Sequence, residues 1–147
     1  MLDVFAPLID AARSLPLDDP SAAEAELKRR FDPEGEDAQA LRERLVGLLE
    51  AGEIANRGEP PVRWGRAAKP SEETAEFSID VVDMTGPGPK HRHPAGEIDY
   101  CIALDGEPTF DGRSPGWVVY GPDSTHVPTV AGGRVVGELL PDARSRC

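Results

Sequence analysis

Along the first third of the chain the apolar positions recur every three or four places; beyond residue 60 they alternate. Leu2, Phe5, Ile9 and Ala12 share one side of a helix drawn over residues 2–13. Ser21-Ala22-Ala23-Glu24 has the form of a capping box, in which a hydroxyl and a carboxylate satisfy the first open amides of a helix. Ala23, Leu27 and Phe31 then line one face of that helix. A third stripe, Leu41, Leu45, Leu48 and Leu49, predicts a helix from about Asp37 to Ala51, closed by Gly52. From Pro60 onward Gly and Pro cut the chain into short pieces, and strands are expected at 62–67, 76–84, 90–93, 97–104, 109–110, 116–120, 125–130 and 134–140. Phe77, Ile79 and Val81 alternate as a half-buried strand requires. Asp105-Gly106, Asp111-Gly112 and Gly132-Gly133 read as turns. The pattern predicts a mainly β fold with an α-helical N-terminal region: helices over 1–55 and a β-barrel over 60–141, in a single domain.

Composition narrows the partners. A net charge of −11 excludes a nucleic-acid partner, which needs a basic face, and works against anionic membranes. That charge also sets aside the winged-helix outline of residues 45–66. No apolar run approaches the roughly 20 residues of a membrane span, and no basic segment followed by an apolar run marks a signal peptide. Cys101 falls in an expected core strand and Cys147 is the last residue, so no structural disulfide is expected. A reducing, cytoplasmic location follows as the expectation.

The chemistry gathers in the second half. The chain has three histidines, and all of them lie between residues 91 and 126. His91 and His93 are two apart, which places both on one face of a strand. Glu97 follows after Pro94-Ala95-Gly96, and His126 comes from a later strand. Folded together, His91, His93, Glu97 and His126 offer three neutral nitrogens and one carboxylate. Such a set suits a divalent Fe, Mn, Zn, Ni or Cu ion. Asp99, Tyr100 and Tyr120 are candidates for orienting ligands or moving protons. Trp117 and Phe110 are candidates to stack on an aromatic ring, and Arg57, Arg66 and Arg92 to grip a carboxylate. Arg92 is the weakest of the three, because it alternates with His91 and His93.

The run His91-x-His93-x-x-x-Glu97, a turn-rich stretch, a strand and then His126 resembles the cupin superfamily, whose first motif carries His, His and Glu and whose second carries one His. A cupin-type jelly-roll barrel is what that resemblance implies. A narrower match rests on Asn56-Arg57, Asp80-Val81-Val82, His93-Pro94-x-Gly96-Glu97-Ile98-Asp99, Phe110-Asp111-Gly112, Gly116-Trp117-Val118-Val119-Tyr120 and Ser124-x-His126-Val127-Pro128-Thr129-Val130. These residues, with the helical N-terminal third, resemble the 4-hydroxylaminobenzoate lyase family of bacterial nitroarene degradation. The resemblance implies conversion of 4-hydroxylaminobenzoate to 3,4-dihydroxybenzoate and ammonium. It implies one divalent metal ion, Fe2+ or Mn2+ before Zn2+, on His91, His93, Glu97 and His126. Catalytic roles fall to Glu97, Tyr100 and Tyr120, and contact with a small aromatic substrate to Arg57, Arg66, Trp117 and Phe110. A homodimer is expected. Two other functions use the same ligands: a cupin dioxygenase, and a non-enzymatic sensor of small molecules with the helices as an interaction module.

Overall fold

The computed structural model describes residues 2–88, 90–93 and 96–141, with the side chains at positions 2, 91, 93 and 138–141 outside that description. Three helices come first: α1 (Leu2–Ala12), α2 (Pro20–Arg30) and α3 (Glu36–Glu50). The strands follow: β1 (Arg57–Glu59), β2 (Val62–Ala68), β3 (Ile79–Met84), β4 (His91–His93), β5 (Glu97–Phe110), β6 (Gly116–Tyr120), β7 (Ser124–His126) and β8 (Val130–Pro141).

The start of α2 differs from the capping box. Asp19 is the cap, accepting from the amide of Ala22 at 3.2 Å, and Pro20 takes the first helical position. Proline suits that place because its missing amide would have had no partner. Glu24 therefore does other work. Its carboxylate accepts from the amide of Val119 in β6 at 3.1 Å and pairs with Arg113.

The strands form a six-stranded antiparallel sheet in the order β1-β2-β3-β8-β5-β6, and a two-stranded ribbon of β4 and β7. The fold is mainly β with a helical N-terminal region, as expected, though among the described residues the sheet does not close into a barrel. Two of the expected turns are bulges. β5 runs unbroken through Asp105-Gly106, and β8 through Gly132-Gly133, with register shifts between them. Gly106 and Gly132 hold φ of +72° and +82°, and a Cβ on Gly106 would stand 2.6 Å from the carbonyl of Gly132. Glycine lets the ladder kink and continue where a side chain would end it.

Alternation along the strands sorts the sheet into two faces. Ile98, Tyr100 and Ile102 of β5, with Trp117 and Val119 of β6, join Phe5, Leu8, Leu27 and Leu45 of the helices in the main core. Tyr100, Trp117 and Phe31 meet edge to face, with centroids 4.8–6.3 Å apart. Such pairs contribute about 0.5–1.5 kcal/mol each beyond area burial. The Trp117 indole donates to the carbonyl of Phe31 at 2.9 Å. The opposite face carries a smaller cluster of Met84, Cys101, Phe110, Val118, Val130 and Val135.

A chain beginning at Pro60 would leave Tyr100, Ile102, Trp117 and Val119 facing water. It is expected to aggregate, as read by light scattering and size-exclusion chromatography. A soluble truncation with full activity would show the helices to be dispensable.

Candidate functional site

The face turned away from the helices lines a cavity of about 350 Å³. One row of register partners crosses it: Trp64 opposite Val82, Val82 opposite Gly137, Gly137 opposite Cys101. Gly137 leaves the gap in that row. A Cβ built there meets nothing closer than 3.9 Å, so the missing side chain opens the cavity without any backbone need for glycine. The lining grades from Trp64, 47% exposed, to Glu97 and Asp99, 2% and 0% exposed. An aromatic slot thus has an open end and an acidic, buried end.

Gly96 sets the entry of β5 into the site. Its φ is +94°, and a Cβ would lie 2.7 Å from the carbonyl of Tyr120 and 2.9 Å from Leu17. Glu97 then points into the cavity, and the period of two sends Asp99 and Cys101 after it. Burial, and then the charge of Glu97, push the Asp99 carboxyl well above the usual carboxylate range.

His126 stands across from Glu97, with Nε2 3.8 Å from the carboxylate. Its other nitrogen is held: Nδ1 lies 2.8 Å from Asp111. Asp111 also accepts from the amide of Thr129 at 2.7 Å and from the Tyr120 hydroxyl. The Tyr120 ring stacks on the imidazole at 4.0 Å. Burial opposes a charge on His126, but the carboxylates of Glu97 and Asp111 outweigh it and raise its pKa. Burial, then the bond to Asp111, raise the Tyr120 pKa further, so its hydroxyl keeps its proton. Asp111 clamps the histidine with Nε2 turned toward Glu97, the arrangement a ligating imidazole needs.

Two ligands about 2.1 Å from one ion stand no more than about 4.2 Å apart, so Glu97 and His126 are close enough to share one. Among the described residues no three His, Cys, Asp or Glu side chains gather as a metal cradle. His91 and His93, the other two expected ligands, have side chains outside the described ones. The backbone pairs His91 with His126 and His93 with Ser124, which puts positions 91, 93 and 126 on one face of the ribbon. The donor set fits a divalent ion.

The other expected site residues divide. Phe110 lines the cavity. Tyr100 and Trp117 do not: alternation turns them to the helix side, where they pack with Phe31. They belong to the core, and the expected catalytic and stacking roles do not fit that place. Tyr120 reaches the site through His126 and Asp111 and is a positioning residue. Arg66 is engaged by Asp80 at 2.8 and 3.4 Å, and Arg92 by Asp123. Arg57 lies over the Trp64 ring, 5.5 Å from its centroid, at the open end of the slot. Sequence reading missed three residues. Asp111 sits in a turn dipeptide, Gly137 has no side chain to read, and Trp64 reads only as one residue of the strand expected over 62–67.

Asp111→Asn is expected to weaken binding of a divalent ion by about 10–100-fold in calorimetry, because the amide no longer fixes the imidazole. Gly137→Val is expected to fold normally but raise KM for an aromatic substrate by roughly tenfold or more, by filling the slot. Steady-state kinetics and a melting curve check it.

A family model described as PnbB, 4-hydroxylaminobenzoate lyase, matches residues 4–145. A protein of Pseudomonas putida named 4-hydroxylaminobenzoate lyase is 28% identical over 128 residues, covering 75% of this chain and 73% of its own. One of the same name from Nocardioides sp. (strain LMS-CY) is 33% identical over 109 residues, covering 64% of each. Among solved structures, an RmlC-like cupin protein from Ralstonia eutropha JMP134 aligns with 57% of this chain and 58% of its own, at 14% identity and a TM-score of 0.42.

Proposed function

Because the chain belongs to the 4-hydroxylaminobenzoate lyase family, we propose that it converts 4-hydroxylaminobenzoate, or a near arylhydroxylamine, to 3,4-dihydroxybenzoate and ammonium in this cavity. The observation that carries the reading is the polarity of the slot. An apolar cavity of about 350 Å³ joins an aromatic open end at Trp64, with Arg57 over its ring, to a buried end of Glu97 and Asp99, with His126 across from Glu97. A para-substituted benzoate has the same order of groups: anion, ring, hydroxylamine.

His91, His93, Glu97 and His126 would hold one divalent ion, Fe2+ or Mn2+ before Zn2+, and such an ion supplies Lewis acidity toward oxygen when bound. The residues do the rest. Arg57 meets the carboxylate in a charge-assisted pair, since Arg66 already holds Asp80. The ring lies over Gly137, between Trp64 and Phe110. Breaking the N–O bond leaves its electron pair on oxygen, which must then be protonated. Glu97, beside His126 and shielded from bulk water, is the group to move that proton. The oxygen lost from nitrogen leaves as water. One water adds to the ring carbon next to the one that bears the nitrogen, and a second hydrolyses the resulting ring imine and releases ammonia. The net is one water consumed and one ammonia released, and no outside oxidant or reductant is needed.

Anaerobic turnover tests this. Ammonium and 3,4-dihydroxybenzoate should appear one for one without oxygen. Arg57→Ala should raise KM for the benzoate by roughly 10–100-fold, the worth of a charged hydrogen bond, and leave phenylhydroxylamine nearly unchanged. Product formed only with oxygen, and in proportion to oxygen consumed, would replace the lyase with a dioxygenase.

A further inference from the structure

His126 has two supports, and both lead back to one carboxylate on the helical side of the protein. The first is Asp111, which holds Nδ1 at 2.8 Å. It sits in a tight turn closed by Phe110 and Arg113, whose amides donate to each other's carbonyls at 2.8 and 2.9 Å. Asp111 and Gly112 hold φ of +51° and +78°, the left-handed pair that such a hairpin demands. Glycine adopts that conformation freely; aspartate keeps it only where its surroundings hold it there. So short a turn has no slack, and what holds Arg113 also aims Asp111. The second support is Tyr120, at the end of β6, stacked on the imidazole and bonded to Asp111.

Glu24 of α2 holds both. Its carboxylate receives a fork from the Arg113 guanidinium, with Nη1 3.0 Å from Oε2 and Nη2 on Oε1. The same Oε2 accepts from the amide of Val119 at 3.1 Å, one residue before Tyr120. A bidentate fork fixes direction as well as distance. These bonds span 89 and 95 residues of sequence, so they tie the helical region to the far end of the sheet.

We infer that Glu24 is a positioning residue of the metal site, setting Asp111 through Arg113 and Tyr120 through Val119, and so aiming His126 at Glu97. This rests on the metal-binding reading given above and extends it to the helices. Nε2 of His126 stands 3.8 Å from the Glu97 carboxylate, and the direction of the ring decides whether one ion can satisfy both. Without the fork the turn keeps its backbone bonds but loses its tie to α2, and Asp111 is held less firmly against the imidazole. The helical region then frames the site as well as covering the core.

The test uses the intact chain, with Co2+ as the probe because its visible spectrum reports ligand geometry. Glu24→Gln keeps an acceptor for Val119 but meets Arg113 with an amide. Arg113→Met removes the fork from its half-exposed end, where little packing is lost. Both are expected to weaken Co2+ binding by about three- to tenfold in calorimetry, less than Asp111→Asn, and to alter the spectrum. In an Asp111→Asn background, Arg113→Met should cost nothing further, because its path is already cut. A purely structural Glu24 would lower the melting temperature alone. Unchanged affinity and spectrum in both variants, measured well below their melting temperatures, overturns the assignment. So does an equal loss from Arg113→Met with and without Asp111→Asn. Should Glu24→Gln not fold, Arg113→Met decides. Nitrogen-15 NMR of the His126 ring, taken before metal is added, separates this from the metal reading; both variants should shift its Nδ1 signal. A wild type that binds no Co2+ removes the metal, and the Nδ1 shift then keeps or removes Glu24. Co2+ binding with the ring signals and affinity unchanged keeps the metal and removes Glu24.

Discussion

A strand has two faces and no third, and β5 fills both. One face carries Glu97, Asp99 and Cys101 into the cavity; the other carries Ile98, Tyr100 and Ile102 into the core under the helices. A slip of one residue would exchange the two sets, burying carboxylates among Phe31, Leu27 and Trp117 and emptying the site. The register is therefore fixed from both sides at once. On the core side it is fixed by the aromatic contacts of Tyr100 and Trp117. On the cavity side it is fixed by Gly96, whose tight approach to Tyr120 and Leu17 admits no larger residue. Packing and chemistry share one constraint.

That constraint explains why stability and function sit so close together. Buried carboxylates are unfavourable, and a fold can hold them only if the rest of the strand is well anchored. The anchor here is the apolar half of the same strand. Asp111 illustrates the complementary solution. It is a carboxylate at a turn, satisfied by an amide, a hydroxyl and an imidazole, and its cost is met locally. Asp99, fully buried beside Glu97, has a cost that falls instead on the strand as a whole.

Much of this was legible in the sequence, and the failures have physical causes. Helical stripes and alternation gave the helices to within a few residues, and the motif from His91 to His126 runs through β5, whose Glu97 lines the cavity. The Gly132-Gly133 and Asp105-Gly106 pairs misled because glycine serves a bulge as well as a turn, and only the pairing partner decides which. Tyr100 and Trp117 were candidates by chemical type, though counting in twos from Glu97 would have turned Tyr100 away from the site. Asp111 and Trp64 could not be found so simply. Asp111 acts through a histidine 15 residues on, and Trp64 reaches the slot across neighbouring strands. Non-local contacts of this kind leave no periodic trace.

Glu24 has a bearing on how the protein is made. A strand at the rim of a sheet offers its unused amides to any other strand that passes, and β6 is such a strand. Glu24 occupies one of those amides from a helix that lies 95 residues earlier in the chain. Synthesis runs from the N-terminus, so α2 has left the ribosome long before β6 emerges. The guard precedes what it guards, and the sticky rim of the newborn sheet meets its own helix before it meets a neighbouring nascent chain.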